Sequence, residues 1–117
     1  MIEWNEYELI EFFGILPDED EDKTYLGFDV KKGDLRIKVT FFYYGSAIYI
    51  DIFQEGIERS IFHTQIDNPL SAHYVNQKNG NECLDISFAN ENSNTGEIVI
   101  RLEVNPHIRV ELIPDNQ

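Results

Sequence analysis

From Tyr25 almost to the C-terminus, apolar residues recur at every second position, and that period of two commits most of the chain to strands. Leu26, Phe28 and Val30 alternate with Tyr25, Gly27 and Asp29. Lys31-Lys32-Gly33-Asp34 turns the chain into the longest run. There Leu35, Ile37, Val39, Phe41 and Tyr43 alternate with Arg36, Lys38, Thr40, Phe42 and Tyr44. Gly45-Ser46 supplies a glycine-first turn, after which Ile48, Ile50 and Ile52 alternate with Tyr49, Asp51 and Phe53. Glu55-Gly56 turns the chain again into 57–66, where the alternation slips between Ile61 and Phe62 and predicts a bulge. Adjacent hairpins of this kind make an antiparallel meander. The stretch 67–82 breaks the rhythm at Asp67-Asn68-Pro69 and Asn79-Gly80-Asn81. It is long for a loop, so part of it is expected to form a helical turn or to extend a hairpin. Strand signals resume at Leu84, Ile86 and Phe88, then at Ile98, Ile100, Leu102 and Val104, and last at Ile108, Val110 and Leu112.

Before Lys23 the period is close to 3.6, and residues 5–13 read as one short helix. Asn5 can cap it, with Glu8 three positions on as in a capping box, and Glu6 and Glu8 suit the positive end of the helix dipole. Leu9, Ile10 and Phe13 share a face flanked by Trp4 and Tyr7, while Glu8 and Glu11 point away. Gly14 stops the helix and Pro17 lies just beyond. Asp18-Glu19-Asp20-Glu21-Asp22 repels itself and is expected to be a solvated loop. The resulting expectation is an α+β fold in one domain over 1–117. One short N-terminal helix packs on a largely antiparallel sheet of about seven strands within 24–113.

Charge narrows the function. The chain has 22 Asp and Glu against 9 Lys and Arg, a formal net charge of −13. That balance argues against nucleic acid, whose binding rests on Lys and Arg neutralising phosphates, and against anionic membrane surfaces. No apolar run approaches the ~20 residues of a membrane span. The opening Met1-Ile2-Glu3-Trp4-Asn5-Glu6 is acidic where a signal peptide is basic. The single cysteine, Cys83, fits a reducing compartment, so a cytoplasmic location is expected. Within the chain the charge is concentrated: residues 1–22 hold nine of the acids and none of the bases. Such a segment serves solubility or faces a basic partner.

Motifs for chemistry are scarce. Asp18, Asp20, Asp22, Thr24 and Asp29 match a calcium-loop spacing, but Lys23 occupies the position that needs glycine and Asp29 is shorter than the usual bidentate Glu. His63, His73 and His107 lack the spacing of a zinc pair, and Cys83 has no neighbouring cysteine. There is no nucleophile elbow, phosphate-cradling glycine loop or dinucleotide fingerprint. No enzyme activity, cofactor or metal is expected. More informative are the aromatics on both faces around 35–53. Phe42, Tyr44, Tyr49 and Phe53 accompany Arg36, Lys38 and Asp51, so either both faces are covered or one is an interface. The last hairpin differs, with Arg101 and Glu103 set opposite Arg109 and Glu111 as cross-strand charge pairs on a wetted face.

The opening Trp4-Asn5-Glu6-Tyr7-Glu8-Leu9-Ile10-Glu11-Phe12-Phe13-Gly14, the acidic first fifth and the strand-rich body ending Pro106-His107-Ile108-Arg109-Val110-Glu111-Leu112 make a small acidic protein. It resembles the immunity proteins of bacterial toxin–immunity systems, and the resemblance implies a non-enzymatic protein that binds and neutralises a toxin. The contacts to a basic partner are then expected at Asp18, Glu19, Asp20, Glu21 and Asp22, with Tyr44, Tyr49 and Phe53 as anchors. The alternative is a homodimeric structural or adaptor domain that associates through the aromatic strand pair.

Overall fold

The computed structural model describes residues 3–43, 46–76, 81–89 and 96–114. Among them are one helix and ten strands, in the order β1 (Glu3–Trp4), α1 (Glu6–Phe13), β2 (Asp18–Glu19), β3 (Tyr25–Lys32), β4 (Leu35–Phe42), β5 (Ala47–Gln54), β6 (Phe62–Asp67), β7 (Ser71–Asn76), β8 (Glu82–Ala89), β9 (Glu97–Glu103) and β10 (Arg109–Pro114).

The helix forms as its ends dictate. The Asn5 side chain accepts hydrogen bonds from the amides of Tyr7 (2.9 Å) and Glu8 (3.4 Å), and Gly14 ends the helix at φ 73°, a left-handed conformation that favours glycine. Its inward face differs from expectation in one respect. Phe12 is buried with Leu9 and Phe13, whereas Tyr7 stands out in solvent.

The period-two region makes two five-stranded sheets rather than one sheet of about seven strands. The meander sheet, β2-β3-β4-β5-β6, is antiparallel throughout and built from consecutive chain. The terminal sheet, β1-β7-β8-β9-β10, is antiparallel except for β1, which pairs parallel to β7. Three strands account for the difference in number. β7 lies inside 67–82, where the chain extends a hairpin, and β1 and β2 are only two residues each. The slip at Ile61–Phe62 is not a bulge. β6 begins at Phe62 and pairs regularly with β5, while Ile61 ends the preceding turn with its amide on the Ile52 carbonyl (2.7 Å).

Alternation then fills the space between the sheets. Phe28, Ile37, Val39, Phe41, Ile48 and Ile50 from the meander sheet join Ala72, Leu84, Ile86 and Leu102 from the terminal sheet in one core cluster. Helix α1 is wedged where the two sheets meet, with Phe13 stacked on Phe28 of β3 (4.5 Å) and Phe12 against Tyr74 of β7 (6.1 Å). Trp4 of β1 reaches across to Phe41 and Tyr43 at 5.5 and 5.0 Å. At the opposite edges, β6 and β10 leave an apolar cleft of about 460 Å³ lined by Ile52, Phe62, Ile100, Val110 and Leu112.

Candidate functional site

Because the helix and the terminal sheet take up the inner face, the second set of meander-sheet residues points outward. Across four successive strands that outer face carries a strip of rings. Tyr25 lies 6.3 Å from Phe42, Phe42 5.1 Å from Tyr49, and Tyr49 6.0 Å from His63. A carboxylate stands at each end. Tyr25 donates its hydroxyl to Asp18 Oδ2 (3.4 Å), and His63 Nδ1 lies 2.5 Å from Asp51 Oδ1. The Asp18 carboxylate beside Tyr25 holds its phenol above the ordinary range.

The sequence-predicted contacts converge on this face in part. Tyr49 and Phe53 are both on it and half-buried. Asp18 pairs with Gly27, which lies opposite Thr40 and then Tyr49, so Asp18 shares a row with Tyr49 three strands away. At ordinary strand spacing that is ~14 Å. Glu19 sits opposite Leu26, on the other side of the edge, and Glu21 and Asp22 occupy an exposed turn. Tyr44 lies outside the described residues.

The acidic run is also more ordered than a solvated loop. Asp18 and Glu19 form a strand, and Asp20 accepts from the Thr24 amide (2.6 Å) and hydroxyl (2.5 Å). The Thr24 hydroxyl holds the Asp20 carboxyl below its ordinary pKa. Those bonds engage both Asp20 oxygens. No group of three or more His, Cys, Asp or Glu among the described residues could hold a metal ion.

Phe53 lies further along the same face. The Arg36 guanidinium sits 4.7 Å over its ring and 3.4 Å from Asp29. Sequence reasoning left Tyr25, Phe42, Asp51 and His63 out of the site. Phe42 and Asp51 were legible as outward positions. His63 was not, because the misread bulge hid the register that sets it opposite Asp51. His73 and Cys83 fall on the terminal sheet, and Cys83 is buried with its Sγ 3.7 Å from Asp85 Oδ1.

Ring faces beside carboxylates suit cations on apolar stems, so the strip is chemically matched to Arg and Lys side chains. No helix among the described residues is long and apolar enough to cross a membrane.

No protein-family model and no curated protein matches the chain. Among solved structures, the chain is similar to one from a contact-dependent growth inhibition toxin–immunity protein complex of Klebsiella pneumoniae 342. The TM-score is 0.78 at 19% identity, over 95% of this chain and 94% of that one. At that identity the likeness is one of fold.

Proposed function

We propose that this chain is a non-enzymatic binding protein of the immunity class, which neutralises a basic toxin through the acidic, aromatic outer face of its meander sheet. The observation that carries the reading is the ring strip Tyr25–Phe42–Tyr49–His63 with Asp18 and Asp51 at its ends, on a chain of net charge −13. The shared fold with a chain from a toxin–immunity complex supports it. That complex holds two proteins, and the acidic charge of this chain favours the immunity side. The long-range field of Asp18, Glu19, Asp20, Glu21 and Asp22 speeds encounter with a basic surface, and Tyr49 and Phe53 anchor the complex. The site of action is the cytoplasm of the cell to be protected.

The test is protection in culture. The product of the reading frame adjacent to this chain's is expressed with and without it, and growth is expected only with it. Changing the five acids to Asn or Gln is expected to slow association about tenfold at low salt and to erase most of the salt dependence. Unchanged protection and unchanged association rate in that variant would refute the acidic face as the contact. Growth arrest caused by this chain alone would place it on the toxin side instead. Sedimentation is expected to show a monomer, whereas a dimer dissociated by Tyr49→Ala would favour self-association through the same face.

A further inference from the structure

Bases are unevenly placed in this acidic chain. Four of the nine, Lys31, Lys32, Arg36 and Lys38, lie on the β3–β4 hairpin. Lys31 stands directly opposite Arg36. Lys38 is two positions along the same strand, opposite Asp29 on one side and Asp51 on the other. Like charges directly opposed across a sheet are destabilising, so folding alone does not account for Lys31 facing Arg36.

On the terminal sheet the arginines are neutralised from within the chain. Arg101 is paired with Asp85, and Arg109 with Glu103 and Glu111. Of the described lysines and arginines of the meander sheet, Arg36 alone has such a partner, Asp29 at 3.4 Å. Among the described residues neither Lys31 nor Lys38 lies within ion-pair distance of a carboxylate. The Arg36 guanidinium is half exposed and held over the Phe53 ring, so its orientation is set before anything binds. Carboxylates do face this corner. Asp29 is beside Arg36, Asp51 is turned to His63, and Asp34, Glu55 and Glu58 share with Lys31 and Arg36 the lining of a cleft of about 310 Å³. None of these carboxylates comes within ion-pair distance of Lys31 or Lys38.

We infer that Lys31, Arg36 and Lys38, with Arg36 laid over Phe53, form a second contact patch on the docking face, which receives carboxylates of the same protein that the acidic end attracts. The inference rests on the proposed function and adds the partner's chemistry: a basic surface with an acidic segment ~20 Å away, the distance six strand residues span between Tyr25 and Lys31. A face that presents carboxylates at one end and lysines without ion-pair partners at the other fixes the orientation of docking as well as its rate.

The product of the reading frame adjacent to this chain's is the probe, titrated against the 117-residue chain by surface-immobilised kinetics. The K31E/K38E variant is expected to bind at least about tenfold more weakly, chiefly through faster dissociation. The single variant Lys31→Glu sets a carboxylate opposite Arg36, so its unfolding midpoint is expected to rise while its affinity falls. That opposition separates a contact from a structural role. An affinity within twofold of wild type for K31E/K38E, alongside slowed association for the five-acid variant, would overturn the patch and leave the acidic reading standing. Absence of binding by wild type would overturn both. Binding of a labelled 20-nucleotide single strand that K31E/K38E abolishes, with toxin affinity unchanged, would also overturn it and make the corner a phosphate site.

Discussion

The two outer faces are built by the same alternation on two sheets of five strands, yet they treat their polar groups in opposite ways. On the terminal sheet Arg101 makes a fork to Asp85 at 2.8 and 2.9 Å, which holds its guanidinium charged more firmly than usual. Arg109 reaches Glu103 at 3.6 Å and Glu111 at 3.3 Å, and Ser71 and Ser87 share a hydrogen bond of 2.7 Å. Pairs of this kind contribute little individually to stability, but they leave few groups seeking a partner. On the meander sheet the rings are half-buried, with Arg36 laid over Phe53, and among the described residues Lys31 and Lys38 have no ion-pair partner. On the proposed function, that difference leaves the meander face as the one that meets a partner.

The largest expected effect strikes what the faces share. Phe28→Ala removes a fully buried ring stacked on Phe13 and is expected to cost about 3–5 kcal/mol in urea unfolding. Both faces lose their support together. Tyr49→Ala separates them: toxin affinity is expected to fall by about 2 kcal/mol by titration calorimetry, with a stability change under about 1 kcal/mol. Its counterpart is Asp85→Asn, which leaves the Arg101 fork without its carboxylate. Here stability is expected to drop by about 1–2 kcal/mol with toxin affinity unchanged. Loss of binding in Asp85→Asn would end the division of labour between the faces. The smallest effect is seen in acid. The Asp20 carboxyl titrates lower in the folded chain than unfolded, so its contribution is whole above pH ~4 and is lost as pH falls through the folded value. Thr24→Val is expected to flatten that limb of the stability–pH curve, measured by thermal unfolding between pH 5 and 2.

Local rules carried the reading where neighbours in space are neighbours in sequence. Asn5 and Gly14 set the ends of α1, and the turn at Gly33 sets the β3–β4 register, because capping and hairpin register are decided within a few residues; the expected turn at Gly45-Ser46 falls partly outside the described residues. Legibility failed where distant chain decides. β1 and β2 are too short to show a period, and only β7 and β3 give them strand geometry. Ser71-Ala72-His73-Tyr74-Val75-Asn76 alternates weakly, and its pairing with β8 orders it. The division into two sheets has no sequence signature, since alternation names a buried face without naming what buries it. The ring strip was half legible for the same reason. Tyr49 and Phe53 could be seen as outward rings, but their union with Tyr25 and His63 is a property of four strands in register.

The parallel pairing of β1 with β7 has a kinetic consequence. Strands β2 to β6 are consecutive and can assemble as the chain emerges, whereas Glu3 must wait for Ser71. Loop-closure entropy makes such a junction slow, so the N-terminal segment is synthesised first and seated late. The chain's single tryptophan, Trp4, sits in that junction against Phe41 and Tyr43. Its emission during refolding is therefore a clock for the closing step, read against the earlier circular-dichroism signal of the meander.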